Sequence, residues 1–443
     1  AMLALTDDPA ELLICAQSFV SRTYPFVEKK LFGQYEHSKI RVGYVSGDFR
    51  EHAVGFLLPH FLNSHDRNQF ELYGYDFSPE QDTQTRRLIK SSFDQFRSIH
   101  GLTDDEAALL VRSDEIDVLI DLHGLSSGAR PGIFAHRPAP KQGTYLGFIG
   151  TTALPWIDFV ICDEALIPPE LATYFTEKPL YVKGSFLPLA PSPATVCHVS
   201  RESLGIKSHQ FAMGAMGNTY KITQEMFKTW MQILNRIPDS VLVLIDDNDC
   251  TTSNLKKEAS KLGVGDEQIL FVKRTEHDQF LARLKCLDVF LDTFPYNCGS
   301  TTNDVIHAGV PLVTLQGRSM VSRMGLSILN ELELNEYVTH DHQEYAGKVL
   351  EIYLKKKNGM NVIPSREIQP FQINEALLSV HKSIKINDEP IRKLDDLKPT
   401  IRLFQIQYKP MYTQEPLQRL WQFQEILLNV LVLLIRYIVL QVC

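Results

Sequence analysis

The chain has 443 residues, with 45 Lys and Arg against 53 Asp and Glu, so its formal net charge is −8. Hydrophobic residues make up 44% and charged residues 22%, which excludes a collagen, a disulfide-rich miniprotein and a largely disordered chain. The acidic balance argues against nucleic acid as a partner, because that binding needs a basic surface. An anionic ligand would therefore need a local cationic site.

The seven cysteines are scattered along the chain, without a C-x-x-C pair or histidines at zinc spacing. This pattern predicts no metal site and favours a reducing, cytoplasmic location. The N-terminus lacks the basic and apolar regions of a secretory signal peptide. It enters a helical pattern at once, so the sequence can also be a fragment of a longer protein.

The first half of the chain alternates helix and strand patterns. An acidic pair before Pro9 predicts the start of an amphipathic helix over 10–26, which we interpret as a lead-in helix that packs on the next domain. Strands are then predicted at 41–46, 70–75, 117–122, 139–146 and 159–161, with helices at 52–62 and 83–96.

The pattern begins again after a proline-rich stretch at 168–193. Strands are predicted at 210–216, 241–245, 269–272, 289–291 and 311–314, with helices at 223–234, 253–262, 278–284 and 302–308. Alternating strands and helices indicate parallel sheets, so we expect an α/β protein with two doubly wound halves facing a cleft.

The sequence suggests four regions along the chain. We expect a helical lead-in at 1–35, an N-terminal Rossmann-like domain at 36–190, a C-terminal Rossmann-like domain at 191–357 and a divergent helical tail at 358–443. Residues 426–442 of the tail are mostly aliphatic, with a central Arg436 that would be costly in lipid. A buried helix is favoured there, with a poorly folded tail or a membrane anchor as alternatives.

Residues 292–304 form the most informative motif, since they follow a buried strand, are rich in small and hydroxyl side chains, and open a helix. Exposed backbone N–H groups at the positive end of a helix accept a diphosphate, although a capped strand–helix junction has the same pattern. Lys221 lies between another strand and helix of the same half, where it can reach phosphate oxygens from a neighbouring loop.

Polar residues also follow the predicted strands of the first half. His52 can exchange a proton near neutral pH, or it can cap the following helix. Asp121 and His123 end another buried strand, where Asp121 contacts a ligand or simply caps the turn. Gly147 lacks a Cβ atom and lets backbone approach a ligand closely.

Several runs of this chain resemble the catalytic region of the protein O-GlcNAc transferase and SPINDLY family. The similar runs are 41–49, 137–142, 146–147 with 150–151, 291–304, 310–314 and 322–323, and they fall in order over roughly residues 1–350. The resemblance implies a GT-B fold of two Rossmann-like domains. It also implies inverting, metal-independent transfer of a sugar to a protein hydroxyl, with no cofactor and with tetratricopeptide repeats before this region.

The resemblance also implies roles for individual residues. Lys221 would contact the diphosphate and stabilise the leaving UDP, and His52 would lie near the reacting centre with His123. The donor would be surrounded by Asn218, Arg283, His277, Gly147, Tyr296, Asn297, Ser300, Thr301 and Asp304. Among these, Ser300 and Thr301 would contact phosphate, Asp304 would hold the ribose, and Gly147 and Tyr296 would face the sugar.

The donor and the activity stay open at this point. UDP-GlcNAc is favoured as donor and a protein or peptide as acceptor, but Gly299 stands where animal members of the family have a histidine. UDP-glucose or GDP-fucose as donor, and a degenerate, non-catalytic scaffold, are the alternatives.

Overall fold

The computed structural model describes residues 2–24, 35–189, 197–360, 362 and 371–384. All of them belong to one unit, Ala1–Asn387. The aliphatic run predicted to be a helix at 426–442 lies outside the described residues. Within the described part of the chain, no helix is both long enough and apolar enough to cross a membrane.

The first half of the fold is a seven-stranded parallel sheet in the order β3-β2-β1-β4-β5-β6-β7. Its strands are β1 (Ile40–Ser46), β2 (Phe70–Asp76), β3 (Gln95–Ser98), β4 (Val118–Asp121), β5 (Lys141–Thr144), β6 (Phe159–Cys162) and β7 (Lys178–Tyr181). The helices of this half are α1 (Pro9–Thr23), α2 (Ala53–Asn63), α3 (Gln84–Ser91), α4 (Asp104–Ser113) and α5 (Pro131–Ala135).

The second half is a six-stranded parallel sheet in the order β10-β9-β8-β11-β12-β13. Its strands are β8 (Phe211–Ala215), β9 (Ser240–Asp246), β10 (Ile269–Lys273), β11 (Val289–Leu291), β12 (Leu312–Leu315) and β13 (Val338–Thr339). The remaining helices are α6 (Gln224–Arg236), α7 (Asp249–Lys261), α8 (His277–Leu284), α9 (Ser300–His307), α10 (Met324–Glu331), α11 (His342–Lys357) and α12 (Asn374–Lys382).

The central strands of both sheets are buried along their whole length, as β4, β6, β8 and β11 show. This follows from helices covering both faces of a parallel sheet, which is why these strands are continuous apolar runs. The predicted α/β class with two doubly wound sheets is therefore confirmed.

The two halves are joined at more than one place. The carboxylate of Asp7, at the start of the lead-in helix, accepts hydrogen bonds from the backbone N–H groups of Arg318 and Ser319 at 2.8 and 3.0 Å. After α11 the chain returns to the first half, where Asn374 bonds the backbone of Ser64 and Asp66 at 3.1 and 3.0 Å. The ends of the described chain thus tie the two sheets together.

The predicted helix over 83–96 is too long. Helix α3 ends at Ser91, and β3 occupies Gln95–Ser98. The reason is tertiary, because Asp94 N–H donates to Leu72 O at 3.0 Å and its carboxylate accepts from Leu72 N–H at 2.7 Å. These bonds turn the chain into an edge strand beside β2. Strands β7 and β13 and helices α4, α5, α10 and α11 were not predicted either.

Candidate functional site

Each sheet reverses its strand order next to its first strand, and the candidate residues lie at those two positions. β1 pairs with β2 on one side and β4 on the other, and β8 pairs with β9 and β11. The loops after these strands diverge at the switch point and leave a crevice at the carboxyl edge of the sheet. Ligands of open α/β sheets bind there.

A cleft of about 1070 Å³ lies between the two halves. The first half contributes α2 and α3, with Phe56, Pro59, His60, Gln84 and Leu88 among the lining residues. The second half contributes Asn218, Arg274, His277, Arg283 and Thr301, among others. Four of the predicted donor-site residues, Asn218, His277, Arg283 and Thr301, therefore line one space.

Lys221 rests on the loop that follows β11. Its Nζ donates to the backbone oxygen of Asn297 at 3.2 Å and lies 3.9 Å from the ring centroid of Tyr296. Lys221 ends a 3-10 turn, Thr219–Lys221, which begins a few residues after the end of β8. Because β8 and β11 are neighbours, the sheet brings this lysine to the loop across 76 residues of sequence.

A buried carboxylate holds that loop in shape. Asp292 has no exposed surface and accepts from the backbone N–H groups of Thr293 and Cys298 at 2.8 and 2.7 Å, and from Thr314 Oγ1 at 2.7 Å. Burial raises the pKa of Asp292 to about 6, against the opposing effects of these hydrogen bonds and of Lys221. The loop is therefore fixed by internal bonds.

The side chain of Asn297 contributes to the same framework. It is fully buried, and its Nδ2 donates to Thr293 O at 2.8 Å and Leu315 O at 3.4 Å. Its backbone carbonyl accepts from Lys221. The sequence placed Asn297 at the donor, and in the structure its side chain supports the loop beneath it.

Helix α9 begins where this loop ends. Gly299 occupies the N-cap position, and Ser300 and Thr301 form the first turn, both of them partly exposed. A glycine cap leaves the first backbone N–H groups of the helix uncovered, and these carry partial positive charge. The predicted phosphate loop thus lies at a helix N-terminus, with Lys221 bound to the segment just before it.

His277 and Asp304 form a pair in the second half. His277 Nε2 lies 3.2 Å from Asp304 Oδ2, and this hydrogen bond raises the pKa of His277. The resemblance assigned Asp304 to the ribose, whereas here its carboxylate binds a histidine that itself lines the cleft.

Sequence reasoning missed Arg274. Its guanidinium donates to Asn218 Oδ1 at 2.6 Å and forms an ion pair with Asp247, and both Arg274 and Asn218 line the cleft. Arg274 is the first residue after β10, so its place at the carboxyl edge of a strand was the signal that could have identified it. Arg283 lines the same wall and donates to Lys273 O at 2.5 Å, and burial lowers its pKa.

In the first half, one carboxylate faces two histidines. Asp48 Oδ2 lies 3.4 Å from His52 Nδ1 and 3.2 Å from His123 Nε2, and Asp48 is 8% exposed. Burial lowers the pKa of both imidazoles, against the opposing charge of Asp48. This cluster joins the loops after β1 and β4, and neither histidine is among the residues that line the cleft.

Of the two interpretations of His52, the structure shows the helix cap. It is the N-cap of α2, where its Nδ1 accepts from Val54 N–H at 3.3 Å. In the neutral ring the proton then lies on Nε2, which can donate a hydrogen bond. His123 is almost fully buried, and its Nε2 lies 3.0 Å from Gly47 N–H, so it ties the two loops together.

Asp121 and Gly147 shape the adjoining turns. Asp121 accepts from the N–H groups of His123 and Gly124 at 2.8 and 3.0 Å, which is the turn-capping alternative, and burial raises its pKa to about 7. A Cβ atom at position 147 would lie 1.8 Å from Leu122 O. Glycine is therefore required at position 147, because a side chain there would overlap the backbone just after β4.

The sequence matches glycosyl transferase family 41 over residues 11–188 and 190–369. The chain belongs to this family. The resemblance drawn from the sequence motifs is thereby confirmed. The two matched ranges include nearly all of the described residues.

Curated relatives of this family 41 chain are found in plants. An Arabidopsis thaliana protein named a probable UDP-N-acetylglucosamine–peptide N-acetylglucosaminyltransferase SEC is 30% identical over 329 residues, which cover 72% of this chain and 33% of that protein. A rice protein (Oryza sativa subsp. japonica) with the same activity in its name, SPINDLY, is 31% identical over 341 residues, covering 73% and 36%. The chain spans about a third of the length of these relatives.

A solved structure has the same architecture. It is described as a Thermobaculum terrenum O-GlcNAc transferase mutant and is 29% identical, with a TM-score of 0.73 over 89% of this chain and 74% of that one. The expected GT-B fold of two Rossmann-like halves is confirmed for this family 41 chain.

Proposed function

We propose that this family 41 protein transfers N-acetylglucosamine from UDP-GlcNAc to a serine or threonine hydroxyl of a protein or peptide. One observation carries the proposal: Lys221 is held against the loop that runs into the N-terminus of α9, at the switch point of the second sheet. The names of the curated relatives supply the donor and the peptide acceptor.

In this proposal the diphosphate of the donor binds at the start of α9. Ser300 and Thr301 would offer their hydroxyl and backbone N–H groups, and the helix dipole favours the negative charge. The ammonium of Lys221 would reach the same oxygens from the side. Arg274 and His277, both lining the cleft, would bind the nucleoside further along the wall of the second half.

The chemistry is a single displacement at the anomeric carbon. The acceptor oxygen forms a bond to that carbon from one face, while the bond between the carbon and the β-phosphate oxygen breaks on the other, which inverts the configuration. The proton of the acceptor hydroxyl is released to water as UDP departs. The departing UDP gains negative charge, and a fixed cation beside it stabilises the transition state more than the ground state. We assign that role to Lys221.

The first half supplies the acceptor side. His52, with its pKa lowered by burial, would be neutral near pH 7 and would donate from Nε2 to an oxygen of the acceptor or sugar. Asp48 and His123 would hold the loops that present it. The six described cysteines are all unpaired, and we place the reaction in the cytoplasm.

The test measures sugar transfer and donor hydrolysis with UDP-GlcNAc and a mixed peptide library, by mass spectrometry. Lys221→Ala is expected to lower kcat by about a hundredfold or more, as the loss of a transition-state contact does. Lys228→Ala, which removes a partly exposed lysine of α6, is the matched control and should keep wild-type turnover. Since Lys221 supplies the positive charge, activity should survive EDTA.

Each contrary result has a definite meaning. Equal turnover of Lys221→Ala and wild type would remove the proposed role of the lysine. Transfer from UDP-glucose or GDP-fucose in preference to UDP-GlcNAc would change the donor and keep the reaction class. Failure to bind any nucleoside diphosphate in a thermal-shift panel would point to a non-catalytic scaffold.

A further inference from the structure

The ammonium of Lys221 lies over the face of an aromatic ring. Its Nζ is 3.9 Å from the centroid of the Tyr296 ring, while it also donates to the carbonyl of the next residue, Asn297, at 3.2 Å. Two consecutive residues of the loop after β11 thus hold the lysine head group. The motif resemblance had placed Tyr296 on the sugar side of the site.

The ring itself is well held. Thr293 Oγ1 donates to the backbone oxygen of Tyr296 at 2.5 Å, and Thr223 Oγ1 donates to Phe294 O at 3.1 Å. Tyr220 packs its ring edge-on against Tyr296, with centroids 6.1 Å apart and an angle of 74° between the planes. Because backbone and ring are both restrained, the ring presents a fixed surface to the lysine.

A ring face is suited to holding a cation that must still bind an anion. A carboxylate partner would neutralise the ammonium before phosphate arrives, whereas the quadrupole of an aromatic ring attracts it and carries no net charge. Burial raises the pKa of the Tyr296 phenol, so the ring stays neutral.

Asp292 lies near enough to Lys221 for the lysine charge to oppose the rise in its pKa. It is buried beneath the loop, and its oxygens already accept hydrogen bonds from the backbone of Thr293 and Cys298 and from the hydroxyl of Thr314. Asp292 therefore shapes the loop, and the ring of Tyr296 orients Lys221.

We infer that Tyr296 is a positioning residue for Lys221, whose ring face holds the ammonium beside the N-terminus of α9 where the leaving diphosphate of the donor would lie. The inference rests on the proposed function. It assigns Tyr296 to the orientation of the cation, so that the charge is in place before the sugar–phosphate bond breaks and less conformational entropy is lost on reaching the transition state.

The experiment compares Tyr296→Phe, which keeps the ring face, with Tyr296→Leu, which removes it. Each change is made in the wild type and in Lys221→Met. With UDP-GlcNAc as donor, Tyr296→Leu should lower kcat about tenfold with a smaller change in the KM of the donor, while Tyr296→Phe should stay within about twofold of wild type. In the Lys221→Met background, Tyr296→Leu should have no further effect.

A second measurement does not depend on activity. Reductive ¹³C-methylation of the lysines keeps their charge and gives each an NMR signal, and the signal of Lys221 is identified by its loss in Lys221→Arg. The ring current of an overlying aromatic should shift this signal upfield in wild type and in Tyr296→Phe. The shift should disappear in Tyr296→Leu, whether or not the chain is active.

The outcomes separate the inference from the proposed function. If Lys221→Met is inactive and Tyr296→Leu equals wild type, the inference is wrong and the role of Lys221 stands. If Lys221→Met has normal turnover, Lys221 does not have the role that the proposed function gives it. The NMR shift then tests by itself whether the ring of Tyr296 contacts Lys221. If Tyr296→Leu lowers kcat equally with and without Lys221, or if the Lys221 signal is unshifted, Tyr296 does not act through the lysine. Should Tyr296→Leu fail to fold, Tyr296→Met replaces it in every arm.

Discussion

The ring of Phe56 lies parallel to the imidazole of His277, with ring centroids 4.6 Å apart and an angle of 8° between the planes. Phe56 belongs to α2 of the first half, and His277 begins α8 of the second half. Both residues line the cleft, so this stacked pair is a contact between its two walls. It covers one face of an imidazole that a nucleobase could otherwise use.

The stacked pair predicts the effect of removing the phenylalanine ring. Because an aromatic pair contributes about 0.5–1.5 kcal/mol beyond its buried area, a base that stacks on His277 must compete with Phe56. Phe56→Ala should therefore tighten UDP binding by up to about tenfold, measured by isothermal titration calorimetry. Leu88→Ala, at another exposed apolar residue of the same wall, is the control. Weaker binding by Phe56→Ala would mean that its ring supports the ligand.

The pair of His277 and Asp304 predicts a pH dependence of stability. Their hydrogen bond raises the pKa of His277 above its ordinary value near 6.5. A pKa raised by folding stabilises the protein fully below the unfolded value, and this contribution is lost as the pH rises through the folded value. Since the pair is partly exposed, we expect it to contribute about 1 kcal/mol or less to the free energy of unfolding.

The measurement is the Tm of wild type and His277→Gln across the pH range. The gap in Tm should be largest below about pH 6.5 and should shrink at higher pH. Asp304→Asn should remove the same pH-dependent part, because the histidine then loses its partner. A gap that widens with rising pH would show that the charged histidine is not stabilised by Asp304.

Arg274 is expected to bind the donor, although no motif singled it out. Its guanidinium is oriented by Asp247 and Asn218 and borders the cleft. Arg274→Ala should weaken UDP binding about tenfold and reduce its salt dependence, since a charge-assisted contact is lost. Lys273→Ala removes the adjacent exposed cation, which does not line the cleft, and should bind UDP as wild type does. Equal losses in both variants would indicate a general charge effect.

The close packing around Gly147 predicts that replacing this glycine lowers the stability of the protein. An alanine Cβ at this position would lie 1.8 Å from Leu122 O, which requires the backbone to move, so Gly147→Ala should destabilise the protein by about 3 kcal/mol or more. Gly347, inside α11, has no atom within 4 Å of such a Cβ, and Gly347→Ala should raise stability by about 0.5–1 kcal/mol. Urea unfolding measures both. A Gly147→Ala protein of wild-type stability would contradict the close packing of these two loops.

Much of the fold could be predicted because it rests on local patterns. The run Val289–Leu291 was predicted as a strand with the observed bounds, and the helix predicted at 223–234 corresponds to α6, Gln224–Arg236. Edge elements were harder to predict. β3 follows α3 without a break in the helical pattern, and only its pairing with β2 makes it a strand.

The sequence by itself determined the α/β class, the two switch-point loops and the lysine beside one of them, because continuous apolar strands and small-residue turns are local signals. Only the tertiary structure decided that Lys221 lies on Tyr296, that Asn297 faces inward, and that Phe56 covers His277. Lys221 and Tyr296 are 75 positions apart in the sequence, and Phe56 and His277 are 221 positions apart. Strand order and the way in which the two sheets face each other determine which of these residues meet. A local pattern of residues does not contain that information.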